Sequence, residues 1–253
     1  MPGSPAPLAQ TNLQLYAQLR AAGWPAEEVE AVGRGYALAA DLLSGWYRAS
    51  GKPFVDHFVG TASVTAAAGC SPVVVRAALL HNAYGSVLRL GGRSRVTRRR
   101  RREVREAIGP EAEALVFAYH WMPWDDAAVA DLLGRVEDLD ERTRDVLAIR
   151  VANEVDDRAD LGLLHSHQEP QAAGPIVELA ERLGEPALAE ALRRVVADEE
   201  GAGAVEPALR QPERVAVFHA PRSHRRRLAL VLRDDLRWAR RQGRRVAGRL
   251  RRA

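Results

Sequence analysis

Three apolar segments of this chain each carry an imidazole or amide where an aliphatic side chain would be expected. His57 stands in PFVDHFVGTASV, His81-Asn82 closes VVVRAALLHN, and Asn153 lies within LAIRVANEVDD. The segments are of helical length, and their apolar residues do not alternate with polar ones as a half-buried strand requires. Only VAVFHA (215–220) reads as a strand, and it stands alone. The chain is therefore expected to be all-α. An unpaired buried polar group costs roughly 1–3 kcal/mol. Three helices that aim such groups at one spot would make a site.

Proline and glycine punctuate the rest. MPGSPAP reads as part of a disordered leader over residues 1–10. Helical patterning begins near Thr11 and stops at Gly23; Pro25 opens a second helix expected to reach about Tyr47. Pro53 opens the helix of His57, and Pro72 opens that of His81-Asn82, expected to run to Tyr84-Gly85. After a loop containing Gly91-Gly92 come a basic helix from Thr97 to Ile108 and a helix from Pro110 that Met122-Pro123-Trp124 breaks. Asp125 or Asp126 can cap the next helix, and Asp140 or Glu141 the long one through Asn153. Two shorter helices, around 176–183 and 186–196, complete a domain over 11–198. A polar connector (199–214) leads to an Arg-rich C-terminal segment (215–253).

The net charge of +4 conceals a partition. Residues 221–253 carry +11, residues 93–105 carry +7, and the remainder −14. In the C-terminal segment, Leu228, Leu232, Leu236, Ala239, Val246 and Leu250 recur at steps suited to one helix face, with Arg on the others. Such a cationic amphipathic segment suits an anionic membrane surface or nucleic acid; a solvated tail is the plainer alternative. Arginines 98–102 surround a helix start, where the dipole disfavours cations; an anion or acidic surface nearby would account for them, and a solvated loop is the plainer alternative. A single cysteine, Cys70, excludes an intramolecular disulfide, and its expected role is that of a small buried hydrophobe. With no basic-then-apolar leader and no run of roughly 18–20 apolar residues, a cytoplasmic protein is expected, peripheral to a membrane if the basic segment binds one.

The segments RASGKPFVDH (48–57), AALLHN (77–82) and VANEVDD (151–157) are similar to the HD superfamily, and most closely to its alarmone hydrolases, which remove a 3′-pyrophosphate from guanosine nucleotides. Arg48, Ser50, Gly51, Pro53, Phe54 and His57 follow that subgroup's opening in order and spacing, and REVREAIGPEAEALV resembles its next helix–turn–helix. The resemblance implies an HD-like multi-helix domain with the basic amphipathic segment appended. It also implies a divalent metal (Mn, Fe or Zn) held by His57, His81 and the residues at 82 and 153. Both of the latter are Asn where the family has Asp. A neutral amide oxygen holds a dication far less firmly than a carboxylate, although Asp156 or Asp157 stands close enough in sequence to restore one.

The family's catalytic Glu-Asp pair falls on Gly85 and Ser86, so alarmone hydrolysis by the usual route is not expected. HNAYGS instead resembles a little-studied HD-like family with a His-x-x-Tyr-Gly-Ser/Thr motif. On this basis His57, His81 and Tyr84 are the candidate catalytic residues, with Tyr84 a phenol donor at the pocket mouth or else a packed aromatic. Arg48, Asn82, Asn153 and Asp157 are the candidate ligand-binding residues, Arg48 being suited to clamp a phosphate. Two functions are open: a divergent metal-dependent phosphohydrolase for a phosphorylated small molecule, or a degenerate pseudoenzyme in which Asn82 and Asn153 hydrogen-bond across the old metal position.

Overall fold

The computed structural model describes residues 8–85, 96–166, 171–203, 205–210 and 216–219. The chain divides into two units, Met1–Val217 and Phe218–Ala253. In the second only Phe218 and His219 are described, so the amphipathic stretch expected over 221–253 lies outside the described residues, as do residues 1–7, Ser86, Gly91-Gly92 and His167.

The first unit is all-α. Its helices are α1 (Asn12–Ala21), α2 (Ala26–Leu43), α3 (Phe54–Ala67), α4 (Pro72–Ala78), α5 (Arg98–Ile108), α6 (Pro110–Trp121), α7 (Asp126–Gly134), α8 (Glu141–Arg158), α9 (Ala173–Arg182) and α10 (Pro186–Gly201). Two-residue strands, β1 (Trp46–Tyr47) and β2 (Val217–Phe218), are the strand content among the described residues. Side-chain caps set many of the starts. Thr11 forms a capping box with Gln14, and Ser71, Thr97, Asp125 and Asp140 each accept the N–H three residues on.

Several boundaries differ from expectation, each for a local reason. The leader is ordered from Leu8: Ala9 is buried and its N–H donates to Ser63 Oγ of α3 at 2.9 Å. Helix α2 stops at Leu43 because Gly45 turns left-handed (φ 85°), and the chain then extends through β1. Helix α4 stops at Ala78, after which residues 79–85 continue as single turns joined by i to i+3 bonds. Helix α8 runs past Asn153 to Arg158, and α10 extends to Gly201, three residues into the expected connector.

The core has two parts. Leu15, Leu19, Val32, Phe58, Leu79, Leu80, Val116 and Ile149 belong to one, built on α1–α6. Val129, Val136, Leu147, Val151, Ile176, Leu188 and Leu192 belong to the other, built on α7–α10. Helices α3 and α8 contribute to both: Phe58 and Ile149 pack in the first, Val64 and Val151 in the second. A helix placed between two cores must be apolar nearly all round, which explains why ten of the fourteen residues of α3 are buried. Burial also pushes the Cys70 thiol up to about 12, keeping it protonated as a packing group.

Two arginines of α5 pair with a buried acid on α6. Glu113 of α6, 1 % exposed, accepts from Arg101 Nε at 2.6 Å, Arg105 Nη2 at 3.0 Å and the Tyr84 hydroxyl at 2.9 Å. Arg101 also lies 4.0 Å above the Phe117 ring. Burial alone would raise the Glu113 carboxyl, but these hydrogen bonds outweigh it and hold the group below its ordinary value of 4.5. Such a group stabilises the fold above its unfolded pKa, and the contribution is lost as pH falls through the lower folded value. Urea denaturation should therefore show stability declining below pH 4.5. Glu113→Gln should cost about 1–3 kcal/mol at neutral pH and flatten that acid limb.

Candidate functional site

The α3–α8 contact is polar at one level, where His57 faces Asp156. His57 Nδ1 and Asp156 Oδ2 are 2.6 Å apart and both side chains are fully buried. The other carboxylate oxygen accepts from Lys52 Nζ at 2.7 Å. Burial raises the Asp156 carboxyl, and the Lys52 charge opposes that rise. With its acceptor fixed, His57 Nδ1 carries the ring proton and Nε2 is bare.

His81 is locked in the same sense. Because α4 ends at Ala78, the Ala78 carbonyl accepts from the His81 ring, with Nδ1 at 2.7 Å. The bare Nε2 atoms of His57 and His81 then face each other at 3.3 Å. Burial foremost, then Arg48 for His57 and His57 for His81, hold both imidazoles well below their ordinary pKa and hence neutral.

The turn before α3 supplies two cations. Arg48 N–H donates to Lys52 O at 2.8 Å and Gly51 (φ 86°) closes the loop, so both side chains reach the helix pair. The Arg48 guanidinium places Nη1 2.6 Å from His57 Nε2 and Nη2 2.6 Å from Asp157 Oδ1. Asn153, one turn before Asp157 on α8, donates Nδ2–H to its Oδ2 at 2.9 Å.

Arg48, His57, His81, Asn153 and Asp157 are thus brought together as a cluster. The Asn82–Asn153 bond is not among the hydrogen bonds of the described residues. Asn153 gives its amide to Asp157, while the Asn82 amide lies on Gly85, where an added Cβ would collide with it. Tyr84 is fully buried and donates to Glu113, which matches the packed aromatic of its two expected roles and not the donor at a pocket mouth. Asp56 is half-buried; burial raises its carboxyl against the lowering effect of Lys52.

The residues that sequence reasoning missed come mainly from the far side of the cluster. Tyr119 of α6 packs its ring 5.0 Å from that of His81, and the Arg150 guanidinium lies 3.7 Å over it. Glu154 accepts from Trp124 Nε1 at 3.0 Å. Burial, then Asp157, raises the Glu154 carboxyl. Arg150, Asn153, Glu154 and Asp157 share one face of α8 at spacings of three and four. Lys52 carried one signal, being the only lysine in a chain of arginines. A separate cavity of about 700 Å³, walled by Val64, Ala67, Val155, Ala191 and Val195, includes none of these histidines.

His57, Asp156 and Asp157 have ligand atoms within 4.8 Å of one another. Asp156 is committed to His57 Nδ1 and Lys52, and His81 is not part of that group; its Nε2 forms a separate pair with His57 Nε2. Ligands roughly 2.1 Å from one ion at tetrahedral or octahedral angles lie about 3.0–3.4 Å apart, which the imidazole pair matches. Metal-binding histidines characteristically donate their second nitrogen to a carboxylate or a carbonyl, as both do here.

A family model described as a domain of unknown function, DUF6817, matches residues 42–123, roughly a third of the chain. The match spans Arg48, His57, His81 and Tyr119 and stops before α8. No curated protein matches the chain.

Gly60 is the weak point of the arrangement, since a Cβ there would strike the Asp156 carboxylate. Gly60→Ala should displace Asp156, destabilise the fold by about 1–3 kcal/mol and release the fixed His57 tautomer. Denaturation together with imidazole ¹⁵N chemical shifts would check both effects.

Proposed function

We propose that the protein is an HD-like phosphohydrolase acting on a phosphorylated small molecule, with a divalent cation held by His57 and His81. The supporting observation is the pair of bare Nε2 atoms at 3.3 Å, each fixed by an acceptor on the opposite nitrogen. The His57 lone pair accepts from Arg48 Nη1 at 2.6 Å, and a dication would compete with that guanidinium for it. Such an ion supplies Lewis acidity, activating water and neutralising phosphate charge. Lys52 holds Asp156, Asp156 holds His57, and Arg48 provides a guanidinium for a phosphate oxygen. Cytoplasmic location, and attachment of residues 221–253 to an anionic membrane or nucleic acid, belong to the same proposal.

One observation favours a second reading, in which the site is a pseudoenzyme. Arg48 already lies between His57 Nε2 and Asp157, so a guanidinium serves as the resident cation. Arg48 and Lys52 balance Asp156 and Asp157 in formal charge, leaving the cluster neutral without an ion.

Calorimetric titration of Mn²⁺, Fe²⁺ and Zn²⁺ into wild type, Arg48→Gln and His57→Ala separates the two. The phosphohydrolase reading expects near-stoichiometric binding by wild type, loss in His57→Ala, and tighter binding in Arg48→Gln, with metal-dependent phosphate release from phosphorylated substrates. Binding that appears only in Arg48→Gln supports the pseudoenzyme. Failure of all three proteins to bind any of the ions overturns the metal reading.

A further inference from the structure

We infer that the hairpin of α5 and α6 carries a surface for single-stranded nucleic acid, with Trp121 stacking on a base and the outer arginines of α5 neutralising the flanking phosphates. This surface and the phosphohydrolase reading stand or fall separately. Helix α5 holds six arginines against Glu103 and Glu106, and no acidic residue stands in its first turn. Arginines at that end oppose the helix dipole, so helix stability does not account for them. Arg101 and Arg105 are committed to Glu113. Arg99 and Arg102 are not, and their side chains are 82 % and 70 % exposed. Their i,i+4 bridges to Glu103 and Glu106 are surface pairs, which hold a guanidinium weakly and yield it to a phosphate.

The register of the hairpin brings an aromatic to the same end. Arg105 meets Glu113 at 3.0 Å, and one turn along each helix Arg101 lies 4.0 Å over the Phe117 ring. The next turn sets Trp121, the last residue of α6, level with the start of α5, where Arg98 is exposed. The Trp121 ring packs against Phe117 at 6.4 Å and His120 at 4.8 Å, yet the residue is 60 % exposed. A base stacked on the indole would cover apolar surface that the fold leaves in water. Leu13 and Leu209, the other exposed large hydrophobics described in this unit, belong to other segments. One aromatic among arginines therefore fits nucleic acid rather than a lipid surface, which calls for a broader apolar face. A single strand is the fitting form, because duplex bases are already stacked on each other while an unpaired base offers its face.

The test is fluorescence anisotropy of labelled oligouridylate and oligothymidylate strands titrated with the full chain over a series of salt concentrations. Binding of either strand by wild type is expected, and the tighter of the two identifies the preferred sugar. Trp121→Ala should weaken binding by about tenfold or more, Trp121→Phe should retain most of the affinity, and both should keep the wild-type melting temperature. Arg99→Gln combined with Arg102→Gln should reduce the slope of log Kd against log salt by about 1.4, the share of two phosphate contacts on a single strand. Trp121→Ala with wild-type affinity overturns the inference, as does an unchanged salt slope in the arginine pair, since binding then belongs to other segments. Tighter binding of a duplex of the same length overturns it too. So does Trp121-dependent binding to vesicles of phosphatidylcholine and phosphatidylglycerol without binding to either strand. Wild type that binds neither strand overturns it outright.

Discussion

The buried bond between Asp156 and His57 carries the rest of the arrangement. It joins α8 to α3, the two helices shared by both parts of the core, and does so where neither side chain meets water. A lone carboxylate at that depth would be untenable, and Lys52 meets its second oxygen. The bond also sets a tautomer. With Nδ1 committed, the reactive nitrogen of His57 must be Nε2, and its direction follows from the packing of the two helices. Everything proposed for the site depends on that choice of nitrogen.

The helical fold was legible in the sequence because its signals are local. Thr11, Ser71, Thr97, Asp125 and Asp140 announce helix starts by chemistry that needs only the next three residues. Ends were harder to read. Apolar patterning continues beyond Leu43 and Ala78, and nothing local says that Trp46-Tyr47 extends or that His81 lies on a turn. Helix α8 outlasts its apolar pattern for the opposite reason: Asp156 and Asp157 look like a solvated terminus, and their partners Lys52 and Arg48 are more than a hundred residues away.

The site was legible in the same partial way. Histidines among apolar residues attract notice, so His57 and His81 were identifiable. An aspartate near a helix end, a tyrosine in ALVFAYHW or a glutamate in GPEAEAL has an ordinary explanation at hand. Only tertiary packing distinguishes Asp156, Tyr119 and Glu113 from it. The two tyrosines show the limit most clearly. Tyr84 lies three residues from His81 in sequence yet serves the α5–α6 contact, while Tyr119, far along the chain, packs on the imidazole itself.

Charge decides what the cluster can accept. With Asn at 82 and 153, the carboxylates in contact with the imidazoles and Arg48 are Asp156 and Asp157, and Arg48 and Lys52 cancel them. An entering dication must displace a guanidinium that makes two bonds of 2.6 Å, so metal affinity is the difference between two cation preferences. Under the phosphohydrolase reading, Arg48 released in that exchange would be the guanidinium free for a phosphate oxygen. The same side chain would hold the empty site neutral and, once displaced, serve the anion, so on that reading cation and anion binding both turn on Arg48.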